Sequence, residues 1–152
     1  MTTAIRMTIQ VNGEPIEGEG RAERDSGYIE CRTFSDGITT DQAPTGRSLG
    51  RRHYEPIVFR KQIDSTSPQL LSTLSQNLQV DAEFRFFRPT SEFGLEHYFT
   101  VSITGARIVS IERSWSAESH EEHEEVAIAP LAITWTYEPS GISFESRPRG
   151  MV

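Results

Sequence analysis

His120 and His123 lie three residues apart in Ser116 to Glu125, SAESHEEHEE, a segment with five Glu and two His. Imidazole and carboxylate together are zinc-ligating chemistry. The spacing argues against a metal centre, because a zinc-enzyme helix of the H-E-x-x-H kind sets its histidines four apart, and no other motif offers a third ligand. The segment reads instead as an acidic solvated loop between strands, with no metal and no cofactor. Other reactive groups are as poorly placed. Ser, His and Asp residues occur, but no spacing ties them into a nucleophile elbow, a phosphate-binding glycine loop or a paired-carboxylate site. Cys31 is the single cysteine, so no intrachain disulfide can form, and its place beside Ile29 in the alternating run Tyr28 to Phe34 is that of a small buried hydrophobe. His97, on an otherwise apolar face, reads as a hydrogen-bonded core or rim histidine. The sequence therefore gives no reason to expect an enzyme.

Composition narrows the partners. A formal charge of -7 argues against nucleic acid, whose phosphates require a basic face. No apolar run approaches the roughly 18 residues of a membrane helix, and the N-terminus lacks the basic, apolar and small-residue succession of a signal peptide. The expectation is a chain that folds in the cytoplasm without membrane insertion. Its 152 residues read as one domain, 1–152, large enough to bury a core without staples. Positive charge is almost entirely arginine, with Lys61 the one lysine. A planar guanidinium suits bidentate pairs across protein interfaces better than an ammonium does.

The elements that position these residues are mostly short strands. Ile5, Met7, Ile9 and Val11 alternate with polar residues, and Asn12-Gly13 is a hairpin turn signal. Glu14 to Asp25 reads as a polar connection and Tyr28 to Phe34 as a second strand. Ser35 to Arg52, with Gly37, Pro44, Gly46 and Gly50 and a basic end at Arg47, Arg51 and Arg52, reads as a long exposed loop; such loops are usually functional or mobile. Val80 to Phe86, His97 to Ile103 and Arg107 to Trp115 alternate as further strands, with Gly105 a turn or bulge between the last two. Val126 to Tyr137 reads as a strand interrupted at Pro130, with Leu131, Ile133, Trp135 and Tyr137 on one core-like face. Ile142 and Phe144 follow Pro139-Ser140-Gly141 as a short final strand. Seven or eight short antiparallel strands and one helix predict a mainly β barrel or sandwich with a flanking helix.

That helix comes from His53 to Leu78, HYEPIVFRKQIDSTSPQLLSTLSQNL. Ile57, Phe59 and Ile63 mark a half-buried strand. Asp64 to Ser67 offers short side-chain oxygens for a helix start, with Ser67 as N-cap and Pro68 at the first helical position. Leu70, Leu71, Leu74 and Leu78 then form an apolar stripe, predicting a helix over about Pro68 to Leu78.

The same stretch resembles the haemolysin co-regulated protein (Hcp) family, the inner-tube subunit of bacterial type VI secretion systems. The matching pattern is a strand led by Pro56, then Lys61 and Asp64, then Ser67-Pro68 and a leucine-rich helix. Phe84 to Arg88, Tyr98 to Val101 with Ala106 to Ile108, and Ile133 to Tyr137 with its Trp135 and Tyr137 resemble later strands of the family in the same order. The resemblance implies sixfold homo-oligomeric rings, stacked head to tail into a tube that a contractile sheath expels together with a tip and effector proteins, with small effectors chaperoned in the lumen. It implies assembly in the bacterial cytoplasm on a baseplate, and secretion without a cleavable signal peptide. An extended loop at Asp36 to Arg52 would reach the neighbouring ring, so Asp36, Arg47, Arg51 and Arg52 are the expected stacking residues, with Glu residues opposite. The alternative reading is a monomeric β-sandwich module binding sugar or peptide on Trp115, Trp135, Tyr98 or Tyr137.

Overall fold

The computed structural model describes residues 3–22, 25–92 and 94–147; the side chains of Gln42, Ser48, Leu49 and Arg51 lie outside that description. Strand formation follows the two-residue alternation. In β1 (Ala4–Val11), Met7 and Ile9 are buried and Thr8 and Gln10 are not; in β7 (Ile57–Lys61), Ile57, Phe59 and Lys61 are buried between half-exposed Val58 and exposed Arg60. The remaining strands are β2 (Glu14–Ile16), β3 (Gly20–Ala22), β4 (Asp25–Ser35), β5 (Ile38–Gln42), β6 (Ser48–Tyr54), β8 (Val80–Pro89), β9 (Leu95–Ser116), β10 (Glu121–Ala129), β11 (Ala132–Tyr137) and β12 (Ile142–Ser146).

Every pairing is antiparallel, and six strands close on themselves in the order β1, β4, β7, β10, β9, β8 and back to β1. Closure leaves no free edge within the barrel itself. Met7, Ile29, Phe59, Phe84, Ile103 and Ile128 fill the interior at 0–1% exposure. Phe34 packs on Phe84 and Phe86, with ring centroids 4.8 and 5.0 Å apart.

The expectation of short strands fails at β9, which runs 22 residues without a break. Gly105 bends it instead of ending it. At φ 61° this residue sits in the left-handed region, its N–H donates to Asp81 Oδ1 at 2.9 Å, and Leu131 fills the place a Cβ would occupy. The bend lets one strand pair with β8 and β11 through its first half and with β10 through its second. The interruption at Pro130 falls opposite that bend: Ala129 faces Arg107 and Ala132 faces Thr104, so β10 and β11 follow one another along the same edge of β9.

Three further expectations are corrected. The polar connection Glu14 to Asp25 contains β2 and β3, which add to β1 and β4. The long loop from Ser35 to Arg52 is largely a two-stranded hairpin, β5–β6, held by its own backbone pairing. The acidic segment is a turn only up to His120, beyond which β10 begins.

The helix α1 is Thr66–Ser75, two residues earlier at its start and three shorter at its end than the leucine spacing implied. Asn77, at φ 52°, takes the left-handed position that stops it; the Asn77 N–H donates to Leu74 O and the Leu78 N–H to Thr73 O, both at 3.0 Å. These are the two bonds of a Schellman ending, so Leu78 lies past the helix while Leu70 is fully buried in the core.

Candidate assembly surfaces and the buried anchor between them

Strand β7 alternates its buried face onto Lys61, and the ammonium cannot reach water. It is 1% exposed and surrounded by Gln62 O at 3.1 Å, Asp64 Oδ1 and Ser67 Oγ at 3.0 Å, and Glu124 Oε1 at 2.8 Å. Ser67 Oγ donates to Glu124 Oε1 at 3.0 Å, and the Arg113 guanidinium approaches Glu124 Oε2 to 3.0 Å without an aligned N–H. A lone buried charge would cost several kcal/mol. Here the strand end supplies one partner, the helix start two and β10 one, while Arg113 from β9 approaches Glu124. Glu124, fully buried, was not anticipated in a segment read as solvated loop. Its signal was period two, since Glu124, Val126 and Ile128 fall on one face.

Lys61, Asp64 and Ser67 are therefore brought together, but with roles other than the spacing suggested. The N-cap residue is Ser65 and not Ser67; it makes no side-chain cap bond, and Asp64 just before it serves the helix start instead. Asp64 Oδ1 accepts from the Thr66 N–H at 2.9 Å and its hydroxyl at 2.5 Å, while Ser67 Oγ accepts from the Asp64 N–H at 3.0 Å. The two side chains thus each satisfy a backbone N–H at the helix start, as in half of a capping box. Glu19 Oε2 takes the Ser65 N–H at 2.6 Å. Burial alone would raise the Asp64 carboxyl; the hydrogen bonds from Thr66 and Lys61 and the Lys61 charge outweigh it and hold it below the usual carboxylate range. Pro68 lies exposed in the first turns of the helix, and Pro56 is an exposed residue just before β7. Cys31, paired with Lys61 across β4–β7, is buried, and that burial pushes its thiol well up, so it stays protonated.

The hairpin β5–β6 projects from the barrel where β4 ends and β7 begins. Its base is tied down by Glu55 N–H to Gly37 O at 2.9 Å and by the Tyr54 hydroxyl against Ser146 Oγ. His53 Nε2 and Asp41 Oδ1 meet at 2.7 Å along it. Of the expected stacking residues, Asp36 accepts from Trp135 Nε1 at 2.8 Å and so braces the hairpin base against β11. Arg47 and Arg52 are exposed on the hairpin with no side-chain partner among the described residues, and the Arg51 side chain lies outside them.

Strands β11 and β12 extend the sheet beyond the closed barrel. Trp135 faces Phe144 and Tyr137 faces Ile142 across this ladder, while Ile133 faces Ser146 nearer the core. The face that is core at Ile133, 2% exposed, runs out of the barrel and becomes surface: Tyr137 is 40%, Phe144 59% and Ile142 72% exposed. The expected core face of Leu131 to Tyr137 is thus core only near its start, because among the described residues no element covers its continuation. Trp135 is half-buried, stacked on Phe144 with centroids 6.1 Å apart. Arg88 lies 4.6 Å over the Tyr98 ring and donates to the Tyr137 hydroxyl at 3.4 Å, so these two rings are already engaged. His97 pairs with Thr100 Oγ1 at 2.7 Å and stacks on Phe87, as a rim histidine does. His120 occupies the β9–β10 turn at φ 57°, and among the described residues no group of three His, Cys, Asp or Glu could hold a metal ion.

This architecture recurs in solved proteins. Hcp1 from E. coli EAEC 042 superposes with a TM-score of 0.87 at 23% identity, covering 95% of this chain and 97% of that one. The secreted protein Hcp3 from Pseudomonas aeruginosa gives 0.79 at 24%, covering 95% and 99%. In sequence, the chain is 32% identical over 138 residues to the "Major exported protein" of Pseudomonas aeruginosa, covering 86% of this chain and 80% of that protein. Residues 8–137 match the family described as "Type VI secretion system effector, Hcp". With that match across most of its length, the chain belongs to the Hcp family of type VI secretion proteins.

Proposed function

We propose that this chain is a non-catalytic structural subunit of a type VI inner tube. Six copies form a ring, rings stack head to tail, and a contractile sheath expels the tube with its tip and effectors, small effectors being chaperoned in the lumen. Assembly takes place in the bacterial cytoplasm on a baseplate, and export follows on firing. The observation that carries the reading is the β11–β12 extension. Among the described residues its outer strand β12 pairs on one side only, and its face exposes Ile142, Phe144 and Tyr137 together. An unpaired strand beside an uncovered apolar face invites pairing with another chain. A ring supplies that pairing at every subunit without leaving a free end. The protruding hairpin with exposed Arg47 and Arg52 supports contact along the stacking direction.

The test is to replace Ile142 and Phe144 together by Asp. Both side chains are exposed, so the barrel should keep its thermal unfolding profile while rings give way to monomers in native mass spectra. Rings that persist in the double variant would remove β12 from the ring contact.

A further inference from the structure

The two hairpins leave the barrel at opposite ends of β7. The hairpin β5–β6 departs beside Ile57, whereas Glu124 faces Lys61 at the other end of the strand and the β9–β10 turn lies beyond it. That far hairpin is acidic, and its carboxylates differ in state. Glu124 and Glu125 are engaged by Lys61, Arg113 and Arg60. Glu118, Glu121 and Glu122 have no ion-pair partner among the described residues. Beside them Trp115 is 61% exposed, and it stands directly across the ladder from Glu122, so ring and carboxylate share one face.

We propose that Trp115 with Glu118, Glu121 and Glu122 is the receptor for the Arg47 and Arg52 guanidinium groups of a second copy, in the next ring of the stack. The inference rests on the stacked-ring reading and adds the surface that accepts the hairpin. An indole face beside the Glu122 carboxylate suits a guanidinium, which stacks flat on the ring while its edge N–H groups pair with the acid; Glu118 in the turn and Glu121 on the strand's other face add negative charge to the same hairpin. The donors match: Arg47 and Arg52 are exposed with no partner among the described residues, while the neighbouring His53 is engaged by Asp41. The hairpins that carry donor and receptor leave the barrel at opposite ends of β7, which suits a contact between copies, and a contact joining unlike surfaces repeats head to tail.

The experiment uses two variants of the full chain. One reverses the donor (Arg47→Glu, Arg52→Glu) and the other the receptor (Glu118→Arg, Glu121→Arg, Glu122→Arg). Native mass reports whether rings form, and sedimentation with a crowding agent reports whether rings associate. Wild-type rings should associate, and less so at high salt. Each variant alone should keep its rings but associate on the order of tenfold or more weakly. Mixing the two should restore association in alternating stacks, and Trp115→Ala should weaken it without altering ring mass. Wild-type rings that never associate, variants that stack like the wild type, or a mixture that fails to recover would each overturn the receptor. Wild-type protein found only as monomer would overturn the ring reading itself, a failure seen in the mass measurement before any stacking is examined.

Discussion

Lys61 shows at the scale of one residue what a buried charge demands of the chain around it. The period of β7 puts it on the face of Ile57 and Phe59, where an ammonium survives only if several chain segments converge on it. Removing one partner from such a site is costlier than never having built it, because the remaining charge stays buried. Lys61→Met should therefore destabilise by about 3–5 kcal/mol in urea unfolding, and Lys61→Met with Glu124→Leu should recover most of that. A double variant as unstable as the single one would show that the network contributes more than mutual charge compensation. Asp64 adds a pH dependence of known sign. Its carboxyl is held below the ordinary 3.8, so the stability it contributes is complete above that value and is lost as pH falls below it through the lowered folded-state value. As pH falls below 3.8 the wild type should lose more stability than Asp64→Asn; parallel losses would show that Asp64 is not held low. The side chains of this anchor were legible one by one from Lys61, Asp64 and Ser67, but Glu124 was not, because 57 residues separate it from Ser67 and local charge density masked its alternation.

At the scale of elements, local signals located the strands but not their continuity. Gly105 marked a break in the alternation, yet only the partners on either side decide whether such a glycine ends a strand or bends it. Here β8 and β11 hold one half of β9 and β10 the other, so the chain continues through the bend. Gly105→Ala should cost at least about 1–2 kcal/mol, since it forces a Cβ into the left-handed region and to 2.8 Å from Leu131 Cδ2. Thermal unfolding of the variant, alone and with Leu131→Ala, measures this; an unchanged midpoint would mean that β9 tolerates another path at the bend. The β5–β6 hairpin escaped detection for a different reason. Its strands carry few large apolar residues and, among the described residues, pair only with each other, so their sequence lacks the alternation of the barrel strands. The helix was legible through its leucines, but its ends were fixed by capping bonds at Asp64 and Asn77 that hydrophobic spacing does not encode.

For the whole molecule, the closed barrel leaves the mobile question of edges to the parts outside it. Six strands satisfy one another, α1 lays Leu70 into the core, and outside the barrel stand the exposed β11–β12 face and two oppositely charged hairpins. In the proposed assembly this distribution would serve lateral and axial contacts by different means, apolar pairing around the ring and charge along the stack. A net charge of -7 per copy does not oppose this, because exposed charges are screened beyond about 8 Å at physiological salt and only facing surfaces interact strongly. The most direct test is the native mass of the purified chain over a wide concentration range, with negative-stain images of the same sample. The account predicts a species of six times 17.2 kDa, seen as sixfold annuli; a monomer of 17.2 kDa at every concentration would contradict it.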